Sequence, residues 1–287
     1  MPNAMSNDQP SNEGLPRRIL LTGCSGTLGA LLRPWLRARV DYLRISDLVP
    51  PSLALQPNEE FVACELSDRE GMLRLLDGVD AVVHMGGGGN EFDADVTLQA
   101  NVIGTFNLYH AALEKGVRRI VLASTNHATG YYPVGTAVTA DMPVRPDSLY
   151  AVSKCFGETL SRYFFDRHGI ETLAIRIGSC RVRPTFKREL TTWISHDDFL
   201  HAVERGLVAP GLGHAIIYGV SQTRSGWWRD DDSARIGYRP RDSAEDFRAE
   251  VEARGDTYPD GHSMRVWQGG TFTEYDYRKP QPPKPRP

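Results

Sequence analysis

The sequence predicts an α/β protein built on a doubly wound parallel sheet, and three observations carry that expectation. Strand-like apolar runs alternate with helix-like segments, the pattern of a parallel sheet covered by helices on both faces. The first run, Arg18-Ile-Leu-Leu-Thr22, leads into Gly23-Cys-Ser-Gly26-Thr-Leu-Gly29 and then into Ala30-Leu-Leu-Arg-Pro-Trp-Leu at helical spacing. Strand, glycine turn and helix in that order are what a dinucleotide site demands, so the expected class is a Rossmann-type fold. A length of 287 residues suffices for one such core with an elaborated C-terminal part. The expected organisation is a disordered polar leader over 1–16, an NAD-binding core over 17–178, and a small substrate-binding part over 179–278 packed on that core as one unit. A proline-rich tail over 279–287, whose composition cannot pack, completes it.

The glycine spacing is G-x-x-G-x-x-G. Gly23 allows the tight turn, Gly26 the approach of backbone to a diphosphate, and Gly29 close packing of helix on strand, with phosphate oxygens at the helix N-terminus. Ser25, Thr27 and Leu28 belong to the same loop and are expected to border the cofactor. The second strand, Tyr42-Leu-Arg-Ile-Ser46, ends in Asp47, placed about 20 residues on, where an acid grips the adenosine ribose. No Arg or Lys follows it closely, and a 2′-phosphate would meet Asp47 with like charge. That predicts NAD in preference to NADP.

A proline-bearing connection from Pro50 to Pro57 precedes a strand near Phe61-Val-Ala-Cys64. Its end puts Glu65 and Leu66 where a doubly wound sheet meets the adenine, although Leu66 equally suits the core. A helix follows over Asp68 to Leu76. Asp80-Ala-Val-Val-His84-Met85 is a buried-type strand running into Gly86-Gly-Gly-Gly89, a run that lets the backbone pass close to a ligand. Met85, Gly86 and Gly87 are assigned to the cofactor on that ground. No G-K-[ST] closes the run, which excludes a Walker A loop. A glycine hinge without a ligand is the simpler alternative, and His84 reads as a packed histidine. The next helix, about Phe92 to Lys115 with Gly116 as its cap, carries Val96, Ala100, Ile103, Leu108 and Ala111 at near-helical intervals. Asn101 inside it is a poor helix former that needs a local reason: a water or main-chain group behind the active site, or solvent.

Arg119-Ile-Val-Leu-Ala123 is the fifth strand and runs into Ser124-Thr125-Asn126-His127, hydroxyl, amide and imidazole groups at the end of a central strand. Such a position belongs to the ligand crevice. The turn-rich Pro143-Val-Arg-Pro-Asp-Ser precedes a helix from Leu149 to about His168 that opens with Tyr150-Ala-Val-Ser-Lys154. Tyr and Lys four residues apart share a helix face, so an ammonium can sit close beneath a phenol. A free Tyr titrates near 10, roughly three units above neutrality, and a nearby cation favours the phenolate. Tyr150 is therefore the expected base, Lys154 its partner and a ribose ligand, and Thr125 the donor to a substrate oxygen.

Taken together, these motifs in this order resemble the extended short-chain dehydrogenase/reductase superfamily. More narrowly, Ala-Ser-Thr-Asn-His-Ala-Thr-Gly-Tyr-Tyr-Pro133, Leu-Tyr150-Ala-Val-Ser-Lys-Cys-Phe-Gly-Glu158, Arg176-Ile-Gly-Ser-Cys180, Thr192-Trp-Ile-Ser-His-Asp-Asp-Phe199, Gly226-Trp-Trp228 and Gln268-Gly-Gly-Thr-Phe272 resemble the uronate dehydrogenases. The resemblance implies NAD-dependent oxidation of galacturonate or glucuronate at the anomeric carbon. It implies that Asn126, His127, Ser179, Arg188 and Phe272 line the sugar together with Thr125, with Arg188 gripping the uronate carboxylate in a bidentate contact. It also adds Ile177 to the cofactor's surroundings and Gly89 to the substrate's. The family usually has serine where Thr125 stands, and a serine near Gly89, so the glycine run removes one substrate contact. Another sugar or nucleotide-sugar enzyme of the same fold, or a non-catalytic NAD sensor, are the alternatives.

Composition is consistent with this. With 33 basic and 36 acidic residues the formal charge is −3, which offers no basic field for nucleic acid. The longest apolar runs are too short to span a bilayer, and the polar start of the chain has no secretory signal, so the expected place is the cytoplasm, while the partner that the resemblance implies is a small sugar acid. The four cysteines lack C-x-x-C spacing and read as reduced thiols. His196 and His201 lack the H-E-x-x-H arrangement, and no metal site is expected. Helices are expected over Asp197 to Gly206 and Ala244 to Arg254, and Trp227 and Trp228 are expected in the core or at a subunit contact, in a chain expected to form a homo-oligomer.

Overall fold

Seven strands join into one parallel sheet because their apolar residues are buried on both faces, as a sheet wrapped by helices requires. The computed structural model describes residues 14–88, 93–255, 258–276 and 278. Residues 1–13, Gly89 and the tail at 279–287 lie outside them, and with these most of the expected leader, one expected substrate contact and the expected tail. The strands are β1 (Arg18–Thr22), β2 (Tyr42–Asp47), β3 (Glu59–Ala63), β4 (Ala81–His84), β5 (Arg119–Thr125), β7 (Glu171–Ile177) and β10 (His214–Gly219), in the order β10-β7-β5-β4-β1-β2-β3. Short pairs lie outside this sheet: β6 (Val138–Thr139) with β11 (Trp228–Arg229), and β8 (Ser179–Cys180) with β9 (Trp193–Ile194).

Alternation along each strand divides the core in two. Ile19, Leu21, Ile45, Val83, Val121 and Leu173 face helices α1 (Thr27–Arg37) and α7 (His196–Val208). Leu20, Val82 and Ile120 face α2 (Arg69–Leu75), α4 (Gly104–Lys115) and α5 (Leu149–His168). Each fully buried Leu or Ile contributes about 1.5–3 kcal/mol. Leu15, inside the stretch read as a leader, packs against the first of these layers. The chain runs outward through β1, β2 and β3, then returns to lay β4 on the other side of β1. That reversal opens a crevice at the carboxyl ends of β1 and β4.

The expected helix at 92–115 is broken. α3 (Ala94–Leu98) passes through a π-turn at Gln99–Ile103 into α4, and Gly116 ends it at φ 73°. Of its expected apolar face, Leu108 and Ala111 are buried in the core, but the first part is corrected: Val96 and Ile103 are 50% and 43% exposed, whereas Thr97, Asn101 and Thr105 point inward. A polar face turns inward here because it abuts the glycine run and α5 instead of a hydrophobic layer. The expected helix at 244–254 divides into a 3-10 turn, Ala244–Phe247, and a short α-helix, Arg248–Ala253. Trp227 and Trp228 are buried, with Trp228 stacked on Tyr218 at 4.8 Å. All four cysteines are free thiols. Among the described residues, no helix is long and apolar enough to cross a membrane, and no cluster of His, Cys, Asp or Glu is arranged to hold a metal.

Candidate active site

The cofactor side of the crevice is built by β1, β2 and β4. Helix α1 starts at Thr27 with Gly26 before it, no side chain capping it and no acid in its first turn, so its amide hydrogens face the crevice free of competing oxygen. Gly29 has to be glycine: a β-carbon there would lie 2.0 Å from the Gly23 carbonyl oxygen, inside the turn that folds α1 back on β1. Asp47 closes the far side, its carboxylate accepting from the amides of Ser25 (3.0 Å) and Leu48 (2.7 Å), while Ser25 Oγ donates to the Val49 carbonyl. The cleft between them has a volume of about 620 Å³ and is lined by Gly23, Ser25, Gly26, Asp47, Glu65, Leu66, Met85, Gly86 and Gly87, among others. Ser46 Oγ, on its wall, is buried without a partner. An uncapped helix N-terminus at one end and a carboxylate at the other fit a dinucleotide, with the diphosphate at Gly26 and Thr27 and the ribose diol at Asp47.

Behind the cleft, the reason for Asn101 is visible. Its side chain accepts from the Gly88 amide (2.9 Å) and donates to the Gly88 carbonyl and Ser153 Oγ (both 2.8 Å). It thus ties the glycine run to α5, and the π-turn around it aims the amide inward. A β-carbon on Gly87 would stand 2.5 Å from Asn101 Oδ1 and 3.2 Å from Lys154 Nζ, so the run leaves room for the lysine. His84 packs as expected: it is buried, bonded through Nδ1 to Thr22 Oγ1 at 2.7 Å, and burial and Lys154 bring its pKa down to about 3.

Ser148 caps α5, its hydroxyl accepting from the Ala151 amide, and so sets where Tyr150 and Lys154 emerge. Lys154 Nζ lies 5.7 Å from the centre of the Tyr150 ring. Thr125 ends β5, accepts from the His127 amide (3.2 Å) and hydrogen-bonds Tyr150. The expected pKa effect is reversed in this state: burial, against the Thr125 hydrogen bond, pushes Tyr150 up to about 12, and burial brings Lys154 down to about 8. Desolvation and the charge of Asp147 oppose the phenolate more strongly than the Thr125 hydrogen bond favours it, and desolvation alone opposes the ammonium.

The substrate-side residues gather at the ends of β5 and β7. With its amide turned to suit both neighbours, Asn126 donates to the Ile177 carbonyl (3.1 Å) and accepts from Arg188 Nη2 (3.3 Å). Arg188 lies against Gly270, and burial lowers its pKa to about 10 against the opposing charges of Asp147 and Glu189. Its Nε and Nη2 both donate to the Gln268 carbonyl, so the bidentate edge expected for a carboxylate is partly occupied and Nη1 is the nitrogen without a hydrogen bond. His127 stacks on Phe272, centroids 3.9 Å apart. Ser179 Oγ is bonded to Thr192 Oγ1 at 3.0 Å.

Residues missed by the sequence reading support these. Asp147, buried, holds His127 Nδ1 at 2.7 Å. Glu158, two turns beyond Tyr150, takes both Nε and Nη2 of Arg176 at 2.9 Å and the Ser124 hydroxyl at 2.6 Å, locking α5 to β5 and β7. The i, i+4, i+8 spacing of Tyr150, Lys154 and Glu158 marked Glu158; no local signal joined Asp147 to a histidine twenty residues away.

Fold and site define the class: the chain belongs to the NAD-dependent epimerase/dehydratase family, whose profile matches residues 19–183. Within that family it groups with uronate dehydrogenases. It is 46% identical to the uronate dehydrogenase of Pseudomonas putida over 255 residues, 89% of this chain and 95% of that one. The crystal structure of uronate dehydrogenase from Agrobacterium tumefaciens superposes with a TM-score of 0.87 at 42% identity, covering 91% of this chain and 98% of that one, and a tyrosine-to-alanine variant of that enzyme has been solved with NAD. Glucuronic acid dehydrogenase from Chromohalobacter salexigens superposes at 0.88 with 41% identity, covering 92% of this chain and 98% of that one.

Proposed function

We propose that this protein oxidises a hexuronic acid, galacturonate or glucuronate, at the anomeric carbon to the aldarolactone, with NAD. The observation that carries the proposal is the Tyr150–Thr125 couple standing beside Asn126, which in turn holds the buried guanidinium of Arg188. The proposed proton acceptor and the proposed carboxylate-binding cation are thus connected through Asn126. The residues bordering the 620 Å³ cleft, with Thr27, Leu28, Gly29, Asn101 and Ile177 in support, hold NAD. NAD, when bound, supplies the hydride acceptor. Tyr150 takes the proton of the anomeric hydroxyl while Thr125 orients that oxygen. Lys154 binds the ribose, its ammonium nitrogen 5.7 Å from the centre of the phenol ring. Arg188, through Nη1, holds the uronate carboxylate, and Asn126, His127, Ser179 and Phe272 border the ring. Gly89, the remaining expected substrate contact, lies outside the described residues. The core over 17–178 and the part over 179–278 act as one unit, since Arg188 and Phe272 reach residues of the β5 end.

Four free thiols suit a cytoplasmic enzyme. Val96, Ile103 and Phe106 on the α3–α4 helix and Val152 and Tyr163 on α5 are exposed on neighbouring helices, which supports a homo-oligomer formed there. The direct test is NADH formation from galacturonate, glucuronate and matched neutral aldoses. Turnover is expected with the uronates. Arg188→Ala should lower kcat/KM for uronates by about 10- to 100-fold, the value of a hydrogen-bonded charge, with NAD affinity kept. Neutral sugars turned over equally well would overturn the proposal.

A further inference from the structure

We propose that Asp147 is a positioning residue that holds His127 as its Nδ1–H tautomer, so that Nε2 presents a lone pair to a sugar hydroxyl. The inference rests on the uronate reading for its substrate, but its geometry stands on the fold. Asp147 is 3% exposed, and its Oδ2 lies 2.7 Å from His127 Nδ1. An ionised carboxylate only accepts, so in the neutral ring the proton sits on Nδ1 and Nε2 is left as an acceptor. His127 Nε2 makes no hydrogen bond among the described residues.

The carboxylate cannot drift from this post. Oδ1 accepts from Ser148 Oγ at 3.0 Å. A β-carbon on either Gly130 or Gly269 would stand 1.9 Å from Oδ2, so the group occupies a slot that only glycine backbones leave open. That slot is closed by the Gly269 amide donating to the Gly130 carbonyl at 2.8 Å. Phe272, stacked on the imidazole, removes rotation about the ring plane. The charged and titratable groups that sense Asp147 are Arg188, Tyr150 and Cys155. Two poles follow, joined through Asn126: a donor from Arg188 Nη1 for a carboxylate, and an acceptor from His127 for a hydroxyl. A sugar acid has both a carboxylate for the first pole and hydroxyls for the second.

The test combines the tautomer with a double-mutant cycle. Nitrogen-15 resonances of the His127 ring in the unaltered protein should report the Nδ1–H form, and Asp147→Asn, which keeps shape but loses charge, should reduce that population. The same variant should lower uronate kcat/KM by about 10-fold, the value of one well-placed hydrogen bond, through KM more than kcat, with NAD affinity and melting temperature near those of the parent. In a His127→Ala background, Asp147→Asn should cost nothing further, because its effect passes through the imidazole. An Nε2–H ring in the unaltered protein, or an Asp147→Asn loss that persists without His127, would overturn the inference. Absence of uronate turnover in the unaltered protein would instead sink the substrate assignment and leave the tautomer measurement to decide this one.

Discussion

At the scale of single residues, Tyr150 and Lys154 are held in places that disfavour their working charges. Burial raises the phenol to about 12 and lowers the ammonium to about 8. The consequences for stability have opposite signs. Between about pH 8 and 10.5, the unfolded chain keeps a lysine proton that the folded one has lost, so stability rises with pH. Between about pH 10 and 12, the fold keeps a tyrosine proton that the unfolded chain has lost, so stability falls. Below pH 8 the fold carries the desolvated ammonium at a cost of up to about 3 kcal/mol. Lys154→Met should therefore raise the melting temperature of the cofactor-free protein at neutral pH while losing most turnover, a gain that shrinks as pH approaches the ordinary lysine value. Equal melting temperatures at pH 7 would show that another group offsets the charge.

At the scale of elements, α5 is the part that has to be held still. Ser148 caps it, Asn101 reaches it through Ser153, and Glu158 pins its middle to Arg176 and Ser124. Among the described residues, Glu158→Ala leaves the buried Arg176 guanidinium with only Tyr218 as a side-chain partner, and it should cost about 3–5 kcal/mol in a denaturant melt. Loss of turnover should accompany it even in the fraction that remains folded, because the ion pair sets the height of Tyr150 over the sheet. A Glu158→Ala protein with parental kcat would show that α5 is positioned by its other contacts. The π-turn at Gln99–Ile103 belongs to the same design: one extra residue in the turn rotates Asn101 onto Gly88 and leaves Val96 and Ile103 outside.

At the scale of the whole molecule, the reversal of strand order between β1 and β4 opens the crevice, and we propose that Asp47 at its edge sets the preference for NAD. Asp47→Ala removes the charge that repels a 2′-phosphate, so the ratio of kcat/KM for NAD over NADP should fall by at least about 10-fold, one such repulsion being of order 1.4 kcal/mol or more. An unchanged ratio would assign the discrimination elsewhere on the cleft. Phe106→Glu places a charge on the exposed face of α4 and should reduce the sedimentation coefficient to that of a monomer without touching the cleft; an unchanged coefficient would place any subunit contact on another face.

The glycine turn, Asp47, the strand alternation and the Tyr150–Lys154 spacing were all legible in the sequence, because each is a local demand: a backbone approach, a strand end, a helix face. Local reasoning also found α5 from Leu149 to His168 and both tryptophans' burial. It failed where partners are distant in the chain. The apolar intervals of 96–111 suggested a buried face, which holds at Leu108 and Ala111, yet packing against the glycine run turned the polar side inward ahead of them. The Tyr150–Lys154 spacing suggested an easier base, yet burial, which no spacing reveals, moved the phenol the other way. Arg188 was legible as a cation, but only tertiary structure shows Gln268 occupying its fork. Asp147 and its histidine met only through the fold. The sequence by itself determined which groups are present and which local geometry they take. The tertiary structure decided their solvation and their partners, because both depend on what the rest of the chain excludes from the site.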